Sequence, residues 1–145
     1  MSKEKRRALR VLLNCPALIE PVKMPSVDLH ENLAAVYERV TPNQEQVGQR
    51  YPLMVRDLST NGAFLAGEPL PLLTRVACSF ELEGYGQIEA LGWTLWRRTE
   101  ECEVPRADGQ MVTLPKGFGV LFEAIPLDAR ISIHQLVTNA SQGKN

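Results

Sequence analysis

Histidine and cysteine are scarce in this 145-residue chain, at two and three residues. His30 and His134 stand far apart and have no metal-ligand spacing. Cys15, Cys78 and Cys102 are odd in number and form no C-x-x-C pair. That excludes a disulfide framework and a zinc-ribbon pattern, and it fits reduced thiols. No apolar run approaches the ~20 residues that a membrane-crossing helix needs. The charged start lacks the apolar core and small-residue cleavage site of a signal peptide, so a cytoplasmic location is expected. Without secretion, the sequon Asn139-Ala140-Ser141 carries no meaning. Net charge is also small, at −1, which gives no global signature for a nucleic-acid polymer or an anionic membrane. Internal repeats and low-complexity segments are absent from the sequence.

What is present is a charge asymmetry. Residues 1–10 carry Lys3, Lys5, Arg6, Arg7 and Arg10 against Glu4, so a +4 arm precedes a −5 body. The length suits one domain with one core. The expected boundaries are a flexible basic arm over 1–10, one barrel domain over 8–140 and a disordered tail over 141–145. Within the barrel, residues 23–50 form an insert.

Strand signals dominate. Val11, Leu13 and Cys15 alternate with Leu12, Asn14 and Pro16, and Ala17-Leu18-Ile19 continues the apolar run, so residues 10–19 predict a first strand, kinked or bulged near Pro16 because proline cannot donate to a ladder. Pro21 and Pro25 end it. Asp28 and Glu31 then resemble a capping box, and Leu29, Leu33, Val36 and Val40 recur at helical spacing. A short amphipathic helix is predicted over 29–40, stopping before Pro42, followed by a polar loop over 41–50. Later strands are predicted over 74–82, 88–98 and 117–122. Glu83-Gly84-Tyr85-Gly86 and Ala107-Asp108-Gly109-Gln110 read as hairpin turns. Strict alternation along 92–96 puts Trp93 and Leu95 on one face and Thr94 and Trp96 on the other. Trp96 is expected in the core or as a barrel lid rather than as a stacking platform. After Pro126 a terminal helix is predicted, with Ile133, Leu136, Val137 and Ala140 as its apolar stripe. The pattern predicts a mainly β fold: an antiparallel barrel closed by a C-terminal helix, with a short helical insert between the first two strands.

The densest polar stretch is Asp57-Leu58-Ser59-Thr60-Asn61-Gly62, followed by the strand-like Ala63-Phe64-Leu65. Asp and Ser side chains can bond nearby backbone N–H groups and form a turn. Gly62 supplies either a positive φ or room for close backbone approach. One reading is a structural turn between strands. The other is a ligand cradle in which two acceptors and a bare backbone face one pocket.

The arm favours the second reading. Arg6-x-x-x-Arg10 followed by Asp57-x-Ser59-x-x-Gly62 resembles the PilZ domain, the bacterial cyclic di-GMP receptor module. Gly92 to Trp96 and Gly117-Phe118-Gly119-Val120-Leu121-Phe122 are similar to that family's later strands. The resemblance spans nearly the whole chain apart from the insert, and it implies that the barrel is six-stranded and antiparallel. It implies a cyclic di-GMP site at Arg6, Arg10, Asp57, Ser59 and Gly62, with Lys5, Arg7, Asn61 and Trp96 as secondary candidates. It implies no cofactor beyond the ligand and no metal.

The chemistry agrees. Arginine forks onto a phosphate or onto the O6/N7 edge of guanine. Asp57 can accept from guanine N1–H or N2–H₂, Ser59 can bond a base or phosphate, and Gly62 can let ligand and backbone approach. Arg10 and Asp57 are both expected to be exposed before ligand arrives. The position of Lys5, just before the motif, leaves open whether one ligand or an intercalated pair is held.

One departure is the 47-residue separation of Arg10 and Asp57, longer than usual between these motifs. The insert that causes it is either inert padding or a partner-binding or dimerisation element, which makes a homodimer possible.

The expected function is a stand-alone cyclic di-GMP receptor and adaptor. It would order its arginine arm over the ligand and signal through an unidentified protein partner. Motility, exopolysaccharide and biofilm formation, and virulence are the outputs the family implies. The alternative is a nucleotide-independent adaptor, for example in type IV pilus assembly. A nucleic-acid-binding barrel is weakened by the acidic body and the lack of aromatics among the basic residues. No nucleophile elbow or catalytic histidine pair marks an enzyme.

Overall fold

The structure is a computed structural model that describes residues 10–23 and 47–142. Lys5, Arg6 and Arg7, the helix expected over 29–40 and most of the loop before Arg50 lie outside the described residues.

Eight strands and one helix follow in order. They are β1 (Arg10–Pro21), β2 (Tyr51–Ser59), β3 (Gly62–Ala66), β4 (Arg75–Leu82), β5 (Gly86–Arg98), β6 (Cys102–Pro105), β7 (Met111–Leu114), β8 (Gly117–Ala124) and α1 (Leu127–Gln142). Six of the strands close a barrel in the order β1-β2-β3-β8-β5-β4. Every pairing around the barrel is antiparallel. Closure leaves no free sheet edge. β6 and β7 form a separate two-stranded hairpin beside the barrel. The predicted antiparallel six-stranded barrel with a terminal helix is therefore the observed fold.

Alternation explains most of the core. Val76, Cys78, Phe80 and Leu82 of β4 all point inward, as do Phe118, Val120 and Phe122 of β8. Ala129, Ile133 and Val137 of α1 pack into the same core. This helix face starts earlier than the expected stripe: Ala129 is buried, while Ala140 at the far end is exposed.

The irregularities matter more for the site. The first strand is bulged between Leu12 and Cys15, just before Pro16. Pro16 pairs with Met54 of β2, and on the β4 side the ladder starts only at Ala17. The ring therefore sits where β4 pairing has not begun, and its missing N–H is tolerated. Another bulge lies in β5 between Thr94 and Trp96. It overturns the expectation that Trp96 follows Thr94 inward. Thr94 is buried, whereas Leu95 and Trp96 both turn outward, Trp96 with 45% of its surface exposed. One extra residue in a strand reverses the facing of everything after it.

Candidate functional site

β1 and β2 run antiparallel with Arg10 opposite Ser59 and Leu12 opposite Asp57. Arg10 and Asp57 are thus diagonal neighbours across the ladder, close enough for long side chains to meet. Arg10 Nη1 lies 3.3 Å from Asp57 Oδ2. The two partners differ in environment. The Arg10 side chain is 61% exposed, whereas that of Asp57 is only 20% exposed. Asp57 is therefore not the open carboxylate expected from sequence. Burial raises its pKa above the ordinary carboxylate value, and the attraction of Arg10 offsets this only in part.

After Asp57 the chain bends through a turn held by its own hydroxyl. Ser59 Oγ accepts from the backbone N–H of Asn61 and of Gly62, both at 3.2 Å, and donates to the Gly62 carbonyl at 3.3 Å. A serine hydroxyl has one donor and two acceptor sites. All three are used here, so Ser59 builds the turn. From β8, Phe122 N–H donates to the Asn61 carbonyl at 2.8 Å. From α1, Arg130 Nη1 donates to the Thr60 carbonyl at 2.8 Å.

Gly62 enters β3 opposite Leu121 of β8. Its φ is not positive, so of the two roles read from sequence the close approach applies. The neighbour that requires it is backbone. A Cβ at 62 would collide with the Val120 carbonyl.

The wall beside the ion pair is aromatic. Phe64 of β3 and Trp96 of β5 both lie opposite Gly119 of β8, one from each side. Two strands apart in a sheet, their backbones are separated by roughly 9–10 Å. Yet the rings stack with centroids 5.2 Å apart and planes inclined by 13°. They meet because Gly119 offers no side chain between them, and a Cβ there would strike the Trp96 indole. Arg98 completes the group, its guanidinium carbon 5.1 Å from the Phe64 ring centre and 5.4 Å from that of Trp96. Its Nη1 donates to the Pro115 carbonyl at 2.9 Å, which ties it to the end of the hairpin.

An open cleft of about 590 Å³ is lined by Arg10, Asp57, Ser59, Asn61 and Gly62 together with Phe64, Leu95, Trp96 and Leu121. Ligand sites commonly enclose about 300–1,000 Å³. A neighbouring cleft of about 570 Å³ shares Arg10, Asp57, Phe64 and Trp96, and adds Arg56, Arg98 and the Val112–Pro115 edge of the hairpin. The structure thus brings Arg10, Asp57, Ser59, Asn61, Gly62 and Trp96 to one place. Sequence reading missed Phe64, Arg98 and Arg130. The available signal for Phe64 was its place in β3: Leu65 is the buried neighbour, which leaves an aromatic facing outward directly after the turn.

Chemically, the cleft offers a cation, a carboxylate and a flat π surface. Nucleophilic cysteine chemistry is absent from it. The buried Cys78 thiol is pushed up to about 12 by desolvation, and burial also raises that of Cys15. Among the described residues, no group of three His, Cys, Asp or Glu side chains is placed to hold a metal ion. Nor is any described helix long and apolar enough to cross a membrane.

Neither a protein-family model nor a curated relative matches the chain. Solved structures do. The PilZ domain of YcgR from Escherichia coli, determined with c-di-GMP, superposes with a TM-score of 0.53 at 12% identity. The match covers 97% of this chain and 99% of that one. The fold is that of a PilZ domain. The Bacillus subtilis inhibitor of motility MotI/DgrA is also similar, with a TM-score of 0.59 at 10% identity. That match takes in 97% of this chain, which spans about half (53%) of MotI/DgrA. At such identities the likeness extends to the PilZ barrel and helix, and the site rests on the residues themselves.

Proposed function

We propose that this chain is a cyclic di-GMP receptor adaptor of the PilZ type, working in the cytoplasm. The observation that carries the proposal is the Arg10–Asp57 pair at the mouth of a cleft walled by Phe64 and Trp96. A guanine offers acceptors at O6 and N7 and donors at N1 and N2, and the cleft presents the opposite set beside an aromatic face. The same barrel in the YcgR domain was solved with c-di-GMP, which supports this choice of ligand.

On this reading, ligand separates Arg10 from Asp57. Arg10 turns to a phosphate or to the guanine O6/N7 edge, and Asp57 accepts from N1–H and N2–H₂. Ser59 keeps the turn in shape. Arg6 closes from the arm, with Lys5 and Arg7 beside it. The ordered arm and the altered cleft rim then form the surface that a protein partner reads. MotI/DgrA is named as an inhibitor of motility, and motility is the output we place first.

Calorimetric titration of cyclic di-GMP into the full chain, with GTP and cyclic di-AMP as controls, tests the proposal. Tight, guanine-selective binding is expected. No binding by the folded protein would overturn it in favour of a nucleotide-independent adaptor. Base–aromatic stacking contributes about 1–3 kcal/mol per base, so Trp96→Ala is expected to weaken binding about tenfold with little change in melting temperature. Trp93 serves as the internal control, because its indole N–H is held by Glu123 at 3.0 Å, away from the cleft. Ligand should therefore quench tryptophan fluorescence in Trp93→Phe but not in Trp96→Phe.

A further inference from the structure

The turn that lines the cleft is held from three directions. Ser59 holds it from within, β8 holds it through Phe122 N–H, and α1 holds it through Arg130. The third bond differs from the others in kind. Its donor is a charged guanidinium on a carbonyl, the stronger class of hydrogen bond. It is also the one described hydrogen bond that ties α1 to the turn. Arg130 lies in the first turn of α1, where its own N–H donates to the Pro126 carbonyl at 3.0 Å. Next to it, Ala129 is fully buried, and Ile133 one helical turn later is as well. The guanidinium is thus carried on a part of the helix anchored in the barrel core. Thr60 lies within the turn between Asp57 and Gly62, so a shift of its carbonyl bears on both flanks of the turn.

We propose that Arg130 is a positioning residue for the ligand cleft, and that through it an occupied cleft stabilises α1. This inference rests on the receptor reading for its ligand and on the Arg130–Thr60 bond for its geometry. Coupling of this kind is reciprocal. If the helix holds the turn in its binding shape, ligand that selects that shape tightens the helix. The helix would then report occupancy of a cleft that it does not line.

The experiment combines calorimetry with amide hydrogen exchange on the full chain. Arg130→Ala is expected to bind cyclic di-GMP about tenfold more weakly than wild type, and Arg130→Lys, which keeps a charged donor, to recover part of the loss. Ligand should slow exchange over residues 127–142 in wild type but not in Arg130→Ala. Ile133→Val loosens α1 in the core without touching the turn. It should lower the melting temperature and leave affinity within twofold. Affinity within twofold of wild type in folded Arg130→Ala would overturn the proposal, as would exchange in α1 that ignores ligand. Should Arg130→Ala fail to fold, Arg130→Gln replaces it under the same criteria. A wild-type protein that binds no cyclic di-GMP overturns the receptor reading instead. The positioning role is then decided without ligand, by exchange of the Asn61 and Gly62 amides. Faster exchange in the Arg130 variant supports it, and unchanged exchange overturns it.

Discussion

Asp57→Asn is expected to lower the affinity for cyclic di-GMP a hundredfold or more, while the ligand-free barrel should melt at neutral pH no lower than wild type. The two halves of this result have one cause. The Asp57 carboxylate is largely withdrawn from water, and the cation paired with it among the described residues, Arg10, is itself mostly in solvent. An ion pair with one well-exposed partner contributes only about 0–1 kcal/mol. Burial therefore dominates, and the carboxyl pKa is raised. The site holds a charge that the fold alone does not favour. On the receptor reading, ligand would supply what is missing, in the form of guanine N–H donors aimed at both oxygens. Asparagine removes the buried charge and so relieves the empty protein. It also replaces one acceptor oxygen with a donor that faces the donors of the base. Losing a charged hydrogen-bond partner in a closed interface costs about 2–5 kcal/mol, which sets the hundredfold figure.

The pH dependence separates this account from a simple loss of contact. A carboxyl whose folded pKa lies above its unfolded value of 3.8 binds its proton more tightly in the folded state. The ionised group thus subtracts stability at neutral pH, and the deficit disappears as pH falls through the folded pKa toward the unfolded one. The melting-temperature advantage of Asp57→Asn over wild type should accordingly be largest near pH 7 and close toward pH 4. Wild-type affinity should weaken across the same interval, because only the ionised form accepts two N–H bonds. Melting curves and titrations at pH 4, 5, 6 and 7 read both. A melting temperature for Asp57→Asn clearly below wild type at pH 7 would mean that the Arg10 pair outweighs burial.

Much of this was legible in the sequence because the barrel is built from period-two strands. Val76 to Leu82 and Phe118 to Phe122 declare their buried face by alternation alone, and the Gly84 and Gly109 turns mark where strands reverse. The polar residues that line the cleft were legible as a motif. What escaped were features that depend on partners distant in sequence. The β5 bulge that turns Trp96 outward has no local signature, since Gly92-Trp93-Thr94-Leu95-Trp96 alternates as well as any regular strand. Phe64 and Trp96 meet only because β8 places Gly119 between them. Arg130 lies 70 residues from Thr60. Ser59 shows what a motif leaves unsaid. Its place in the motif suggests a ligand contact, yet its hydroxyl is fully engaged within the turn.

Gly62→Ala should lower the melting temperature of the ligand-free protein, by roughly 6–12 °C for a loss of about 3 kcal/mol. A glycine that ends a ligand-binding turn is naturally credited with making room for ligand. Were that its whole role, alanine would weaken binding and spare the empty fold. The geometry argues otherwise. The Cβ direction at 62 is occupied by the Val120 carbonyl, and β8 cannot yield easily because Phe118, Val120 and Phe122 on either side are packed in the core. The β3 end must move instead. That movement breaks the Gly62–Leu121 pairing and pulls on the Ser59 bonds that shape the turn, so affinity falls as a consequence of lost structure. Gly109 provides the control. It has φ of 88° and nothing near its Cβ direction, so Gly109→Ala carries only the left-handed backbone penalty of about 1–2 kcal/mol, confined to the β6–β7 hairpin, with cyclic di-GMP affinity unchanged. Thermal melts of both variants, with and without ligand, decide the matter. A stable, ligand-blind Gly62→Ala would return the glycine to the ligand; an unstable one assigns it to the seam between β3 and β8.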